Sequence, residues 1–133
     1  RDFVYVGDVA KATLFVMENE KADFEVFNVG TGKATTVAEL GRTLTSIYGK
    51  KIELQIPGEF RWGDVRHIIL NPGKLTQLGF QAQTSLEEGL SFFAKWIQGQ
   101  GKVKQYFTEA YERLKKHRLV QSARRAGDHV PQR

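Results

Sequence analysis

At two places in this chain a hydroxyl side chain stands three residues ahead of a glutamate, and an apolar stripe at helical spacing follows. The pairs are Thr36 with Glu39 and Ser85 with Glu88. In such a pair the hydroxyl accepts from the third backbone N–H of a helix, and the glutamate reaches back to the amide of the capping residue. Both helix starts are therefore set by local chemistry. The stripes are Val37, Leu40, Leu44 and Ile47 after the first pair, and Leu86, Leu90, Phe93 and Ile97 after the second. Repeats of three and four residues put these side chains on one helical face. Two amphipathic helices need a shared core, and the remaining segments must provide it.

Those segments read as short strands and smaller helices. Phe3-Val4-Tyr5-Val6 and Glu25-Val26-Phe27-Asn28-Val29 are β-branched and aromatic runs, Ile52-Glu53-Leu54-Gln55-Ile56 alternates, and His67-Ile68-Ile69-Leu70 is a fourth short run. Such patterns predict strands. Gly7 breaks the first run, and Asp8 is placed to cap a helix carrying Val9, Ala12, Thr13 and Val16 to about Asn19. Gly30-Thr31-Gly32 closes the second run, and Gly49 stops the helix begun at Thr36. Pro57-Gly58 opens a loop through Arg66, and Pro72 suits the first turn of a small helix ending near Gly79. The fold class predicted is α/β, a small mixed α/β domain over residues 1–98 with short strands, and about five helices when that of the tail is included. Gly99-Gln100-Gly101 is a natural break. Beyond it Val103, Phe107, Ala110 and Leu114 keep helical spacing in a basic helical tail, 99–133, whose end from Ala126 to Arg133 reads as frayed.

Charge separates these two parts. Residues 1–98 carry 11 Lys and Arg against 12 Asp and Glu, whereas 99–133 carry 9 against 3. The basic character thus belongs to the tail, and a nucleic-acid surface is a poor reading of the whole chain. With 41% hydrophobic and 26% charged residues the composition is that of an ordinary soluble domain. No run of about 18 apolar residues predicts a membrane span, and the first residues lack the layout of a secretion signal. The chain has no cysteine, so disulfides, a thiol nucleophile and a thiolate metal site are excluded; a reducing compartment is compatible with this, and the cytoplasm is the expected setting. His67, His117 and His129 are far apart with no metal-like grouping, so no metal site is assigned. Gly30-Thr31-Gly32-Lys33 lacks the spacing of a phosphate loop and reads as a turn. Phe93 and Trp96 are expected in the core.

Arg1-Asp2-Phe3-Val4-Tyr5-Val6-Gly7-Asp8-Val9-Ala10 resembles a motif of the extended short-chain dehydrogenase/reductases, where it opens the substrate-binding portion of NAD-dependent nucleotide-sugar epimerases and dehydratases. Phe27-Asn28-Val29-Gly30-Thr31-Gly32 is similar to a second landmark of that family. Arg61-Trp62-Gly63-Asp64-Val65-Arg66 resembles its Arg-x-Gly-Asp loop. Leu78-Gly79-Phe80 with Ser85-Leu86-Glu87-Glu88-Gly89-Leu90 is similar to its closing segment. The four follow in order over residues 1 to about 98. The first motif also resembles the ADP-heptose branch, but the Arg61–Asp64 loop fits hexose epimerases better. One departure stands out, because Asn71-Pro72-Gly73-Lys74 occupies the place of an Asp-x-Ser-Lys and weakens the expected helix start.

The resemblance implies that Arg1 and Arg61 hold a diphosphate from two sides, as planar guanidinium groups do. It implies that Asp64 accepts from ribose hydroxyls while Gly63 lets the backbone approach the ligand. The bland alternative for Arg61 is a surface salt bridge with Asp64, and for Arg1 simple solvation. The family's cofactor site is a Gly-x-x-Gly-x-x-Gly turn, and no such stretch occurs in these residues. Its acid/base Tyr and Lys are not matched either. Tyr111 and Lys115 have the right spacing, but they lie in the tail and read as coincidence.

No catalytic and no cofactor-binding residue is therefore assigned. The chain, which does not begin with Met, is expected to be the nucleoside-diphosphate-sugar-binding part of such an enzyme, without the Rossmann NAD domain. Alone it should bind and not turn over, with NAD held by an N-terminal half. Its uncovered apolar surface is expected to meet that half or a second copy, as in a dimer. The alternative is an oligomeric interaction module whose basic tail contacts a partner or nucleic acid.

Overall fold

The computed structural model describes residues 1–101 and 106–122. Within them are five α-helices and one two-stranded sheet, a small mixed α/β arrangement. The helices are α1 (Val6–Met17), α2 (Val37–Ile47), α3 (Gly73–Leu78), α4 (Leu86–Gly99) and α5 (Phe107–Lys116). The strands are β1 (Glu59–Arg61) and β2 (Val120–Ser122), and a 3-10 turn covers Glu20–Ala22. The residues form two compact units. One comprises 1–54 and 67–101. The other comprises 55–66 and, among the described residues of the tail, 106–122, so the loop opened by Pro57 groups with the basic tail. The expected stripe position Val103 and the frayed end 126–133 lie outside the described residues.

Both capping boxes form. Thr36 Oγ1 accepts from the Glu39 amide at 3.1 Å, and Glu39 Oε2 accepts from the Thr36 amide at 2.7 Å. Ser85 Oγ and Glu88 repeat the exchange at 3.2 and 3.0 Å. These hydrogen bonds hold each glutamate carboxyl below its usual range. α2 packs on α4, and Leu54 lies against Gly41, where an added Cβ would come within 3.0 Å of its Cδ2.

The departure at Asn71-Pro72-Gly73-Lys74 does not prevent α3. Asn71 Oδ1 accepts from the Gly73 amide at 2.9 Å, a local substitute for the missing serine. Pro72 occupies the cap, and Gly79 ends the helix at φ 117°. Lys74 then donates from Nζ to the Glu25 carboxylate and, at 3.0 Å, to the Val26 carbonyl, with Phe27 beneath it at 4.7 Å.

Three readings need correction. First, residues 3–6, 25–29, 52–56 and 67–70 form no ladder among the described residues, and Val6 already belongs to α1. Their alternation describes a chain able to extend; a strand also needs a neighbouring backbone to pair with. The ladder that does form joins β1 to β2, with Glu59 opposite Ser122, Phe60 opposite Gln121 and Arg61 opposite Val120. Second, α1 begins at Val6, so Asp8 lies within its first turn and Tyr5 occupies the cap without a side-chain bond. Third, Phe93 and Trp96 are 45% and 57% exposed rather than core. Among the described residues the buried apolar side chains are Ala12, Ala22, Leu75 and Ala94, small groups except for one leucine.

Candidate functional site

In the unit that begins the chain, two carboxylates of the opening motif organise the backbone around it. Asp2 accepts from the Thr31 amide at 3.0 Å, the Thr31 hydroxyl at 2.6 Å and the Gly32 amide at 2.9 Å. Its own amide donates to the Ile68 carbonyl at 3.1 Å. The amides of the Gly30-Thr31-Gly32 turn thus already hold an anion, the chain's own carboxylate. Gly30 fits because it has no side chain: a Cβ there would lie 2.6 Å from Asp2 Oδ2 and 2.8 Å from the Leu70 Cβ. Burial pushes the Asp2 carboxyl up, but the bonds from Thr31, Gly32 and Leu70 outweigh it and leave it below its ordinary value.

Asp8 is 1% exposed. It accepts from the Gln83 and Thr84 amides at 3.1 and 2.7 Å, and Lys11 Nζ lies 3.4 Å away. Burial again raises its carboxyl, and the bonds from Thr84, Lys11 and Gln83 carry it below the ordinary range. So Asp8 joins α1 to the segment leading into α4. Sequence reasoning missed both roles. The available signal was a pair of carboxylates inside an otherwise apolar run, a setting that demands hydrogen-bond partners.

Arg1 belongs to this same unit, and its backbone is fixed by two bonds with Thr35: its nitrogen donates to the Thr35 carbonyl and its carbonyl accepts from the Thr35 amide, each at 2.8 Å. The unit also contains an apolar groove of about 540 Å³ lined by Phe3, Tyr5, Leu86, Phe92, Phe93 and Trp96, among others. No charged side chain lines it, so it suits an apolar surface and not a phosphate.

Arg61 and Asp64 belong to the other unit. Ladder pairing opposite Val120 sets the Arg61 backbone, and the Trp62 amide donates to the Leu119 carbonyl at 2.7 Å. The Asp64 amide then returns to the Arg61 carbonyl at 3.2 Å. Gly63 sits at φ 85° in the third position of this turn, where a positive φ calls for glycine. The turn brings Arg61 Nε and Nη2 to Asp64 Oδ1 at 3.1 and 2.8 Å. Both side chains are about half exposed, 55% and 42%, and such a pair contributes about 0–1 kcal/mol. It orients Arg61 weakly and leaves Nη1 and part of Nη2 for an anion.

The sequence profile of the NAD dependent epimerase/dehydratase family matches residues 1–30. A dTDP-L-rhamnose 4-epimerase of Burkholderia thailandensis is 38% identical over 98 residues, covering 73% of this chain and 27% of that protein. A putative UDP-glucose 4-epimerase of Methanocaldococcus jannaschii is 39% identical over 97 residues, covering 73% of this chain and 30% of that protein. Among solved structures, UDP-glucose 4-epimerase of Thermotoga maritima with UDP-glucose superposes with a TM-score of 0.65 at 42% identity. That match covers 77% of this chain and 32% of the other. The chain thus spans less than a third of the length of each of these three proteins.

Proposed function

We propose that this chain, which matches the NAD dependent epimerase/dehydratase family over residues 1–30 and nucleotide-sugar epimerases over about three quarters of its length, supplies the part of such an enzyme that binds a nucleoside diphosphate sugar. The observation that carries the reading is the 42% identity, at a TM-score of 0.65, to an epimerase solved with UDP-glucose. The turn at Arg61–Asp64 is compatible with it. A half-exposed guanidinium with free donors meets a phosphate oxygen, and a half-exposed carboxylate accepts from ribose hydroxyls.

In this reading NAD and the acid/base groups come from the remainder of a longer enzyme or from another chain, and the 133 residues alone bind substrate without converting it. The charge-free groove beside Phe92 and Trp96 supports an apolar neighbour, either that remainder or a second copy. Among the described residues no helix is long and apolar enough to cross a membrane. We assign the protein to the cytoplasm, in keeping with its lack of cysteine.

Calorimetric titration of the full chain with UDP-glucose, UDP, an ADP-sugar and NAD tests the proposal. A nucleotide sugar should bind and NAD should not, and Arg61→Ala should weaken the sugar nucleotide about tenfold or more. Binding of NAD alone, or nucleotide-sugar binding indifferent to Arg61→Ala, would sink it.

A further inference from the structure

The unit that contains Arg61 also contains α5, which lies beyond the four sequence motifs. A groove of about 650 Å³ there is lined by Arg61 from β1 and by Tyr106, Glu109, Arg113, Leu114 and His117 from α5 and its two ends. Those α5 positions recur every three or four residues, so they share one helical face. The connection between α5 and β2 explains why Arg61 meets that face. After α5 the chain reverses at His117 and Arg118, the latter at φ 56°, and the Leu119 amide returns to the Leu114 carbonyl at 2.9 Å. β2 begins at the next residue and pairs with β1, with Val120 opposite Arg61. The last turn of α5 and the side chain of Arg61 are thereby brought to one groove by a short connection.

We propose that Arg113 of α5 joins Arg61 in holding a diphosphate group in this groove, so that the basic tail completes the phosphate site of the nucleotide ligand. The proposal rests on the nucleotide-sugar reading above and adds to it a residue outside the four motifs. Two adjacent phosphates present closely spaced charges. Arg61 already engages Nε and Nη2 with Asp64, so it offers only part of its fork. A second guanidinium supplies the planar pair of donors that a diphosphate needs. The groove has the size of a small-ligand site. Glu109, one turn before Arg113 on the same face, opposes an anion and limits affinity. A competing role exists for Arg113, since with Lys115 and Lys116 it stands in the last turn of α5, where cations favour the helix end.

The test uses the full chain with two probes, inorganic pyrophosphate and UDP, titrated calorimetrically, with circular dichroism of each variant to follow α5. Arg113→Ala should weaken both probes about tenfold, Arg113→Lys should restore only part of the loss, and Glu109→Gln should tighten both about threefold. Loss of helical signal in Arg113→Ala with unchanged affinity would assign the residue to the helix end and overturn the proposal. Unchanged affinity in Arg113→Ala alongside a loss in Arg61→Ala would overturn it while leaving the nucleotide-sugar reading intact. Pyrophosphate binding that depends on Arg113, without binding of UDP, would support the groove as an anion site and overturn the nucleotide reading it was built on. Binding of neither probe would overturn both.

Discussion

Asp2 and Asp8 anchor the opening motif, each through a carboxylate that accepts from backbone amides far along the chain. Asp8 is enclosed and accepts two backbone amides from a segment that precedes α4. Asp8→Ala leaves those amides without a partner and should cost about 3 kcal/mol, read from urea denaturation of the full chain. A loss below about 0.5 kcal/mol would show that water or a shifted backbone replaces the carboxylate. Gly30→Ala should also destabilise, because its Cβ would meet the Asp2 carboxylate and Leu70.

The same two carboxylates set an acid limb of stability. Both carboxyls are held below their ordinary 3.8 in the folded chain, so the native state binds fewer protons than the unfolded one. Their contribution is complete above the ordinary value and is lost as pH falls through the folded values. Stability should therefore fall as the pH drops below about 5, and the Asp2→Asn, Asp8→Asn double variant should show a shallower drop. An identical slope in the two proteins would refute the assignment. That carboxylates inside an apolar run need partners was legible from sequence. Which amides they hold was not.

At the scale of elements, helix starts were the most legible features. Thr36 and Ser85 act as caps in the structure, each with its glutamate returned. Thr36→Ala and Ser85→Ala should each cost about 1 kcal/mol in the midpoint of denaturation, and a neutral result would mean that tertiary packing alone starts those helices. Strands were the least legible. Glu25–Val29 has the composition of a strand, yet its recorded side-chain anchor is Lys74, which engages the Val26 carbonyl and the Glu25 carboxylate. β1 and β2 carry no alternation strong enough to announce them, and their pairing joins residues about sixty apart, Arg61 to Val120. The Tyr111 and Lys115 pair, set aside as coincidental, has a local place in the fold. The Tyr111 hydroxyl donates to the Glu59 carboxylate, and Lys115 Nζ lies 4.4 Å over its ring.

At the scale of the whole molecule, exposed apolar surface is the unresolved demand. Phe92, Phe93 and Trp96 are each about half exposed along one groove, and removing such a face from water contributes about 25 cal/mol per Å². The purified chain should self-associate, and Phe92→Ser with Trp96→Ser should return it to a monomer in sedimentation velocity without loss of helical signal. Unchanged association in that variant would direct attention to another face.

What the sequence determined by itself was whatever is complete within a few residues: the two boxed helix starts, the glycine stops at Gly49 and Gly79, and a set of motifs whose order points to one enzyme family. Those signals are local because each partner lies within one helical turn of the other. The tertiary structure alone decided which extended runs pair, where the carboxylates of Asp2 and Asp8 go, and which aromatic rings stay uncovered. Each of these depends on contacts between residues far apart in the chain, 29 positions for Asp2 and Thr31 and 76 for Asp8 and Thr84. No local propensity encodes such a partner; it is selected by the packing that brings the two backbones together.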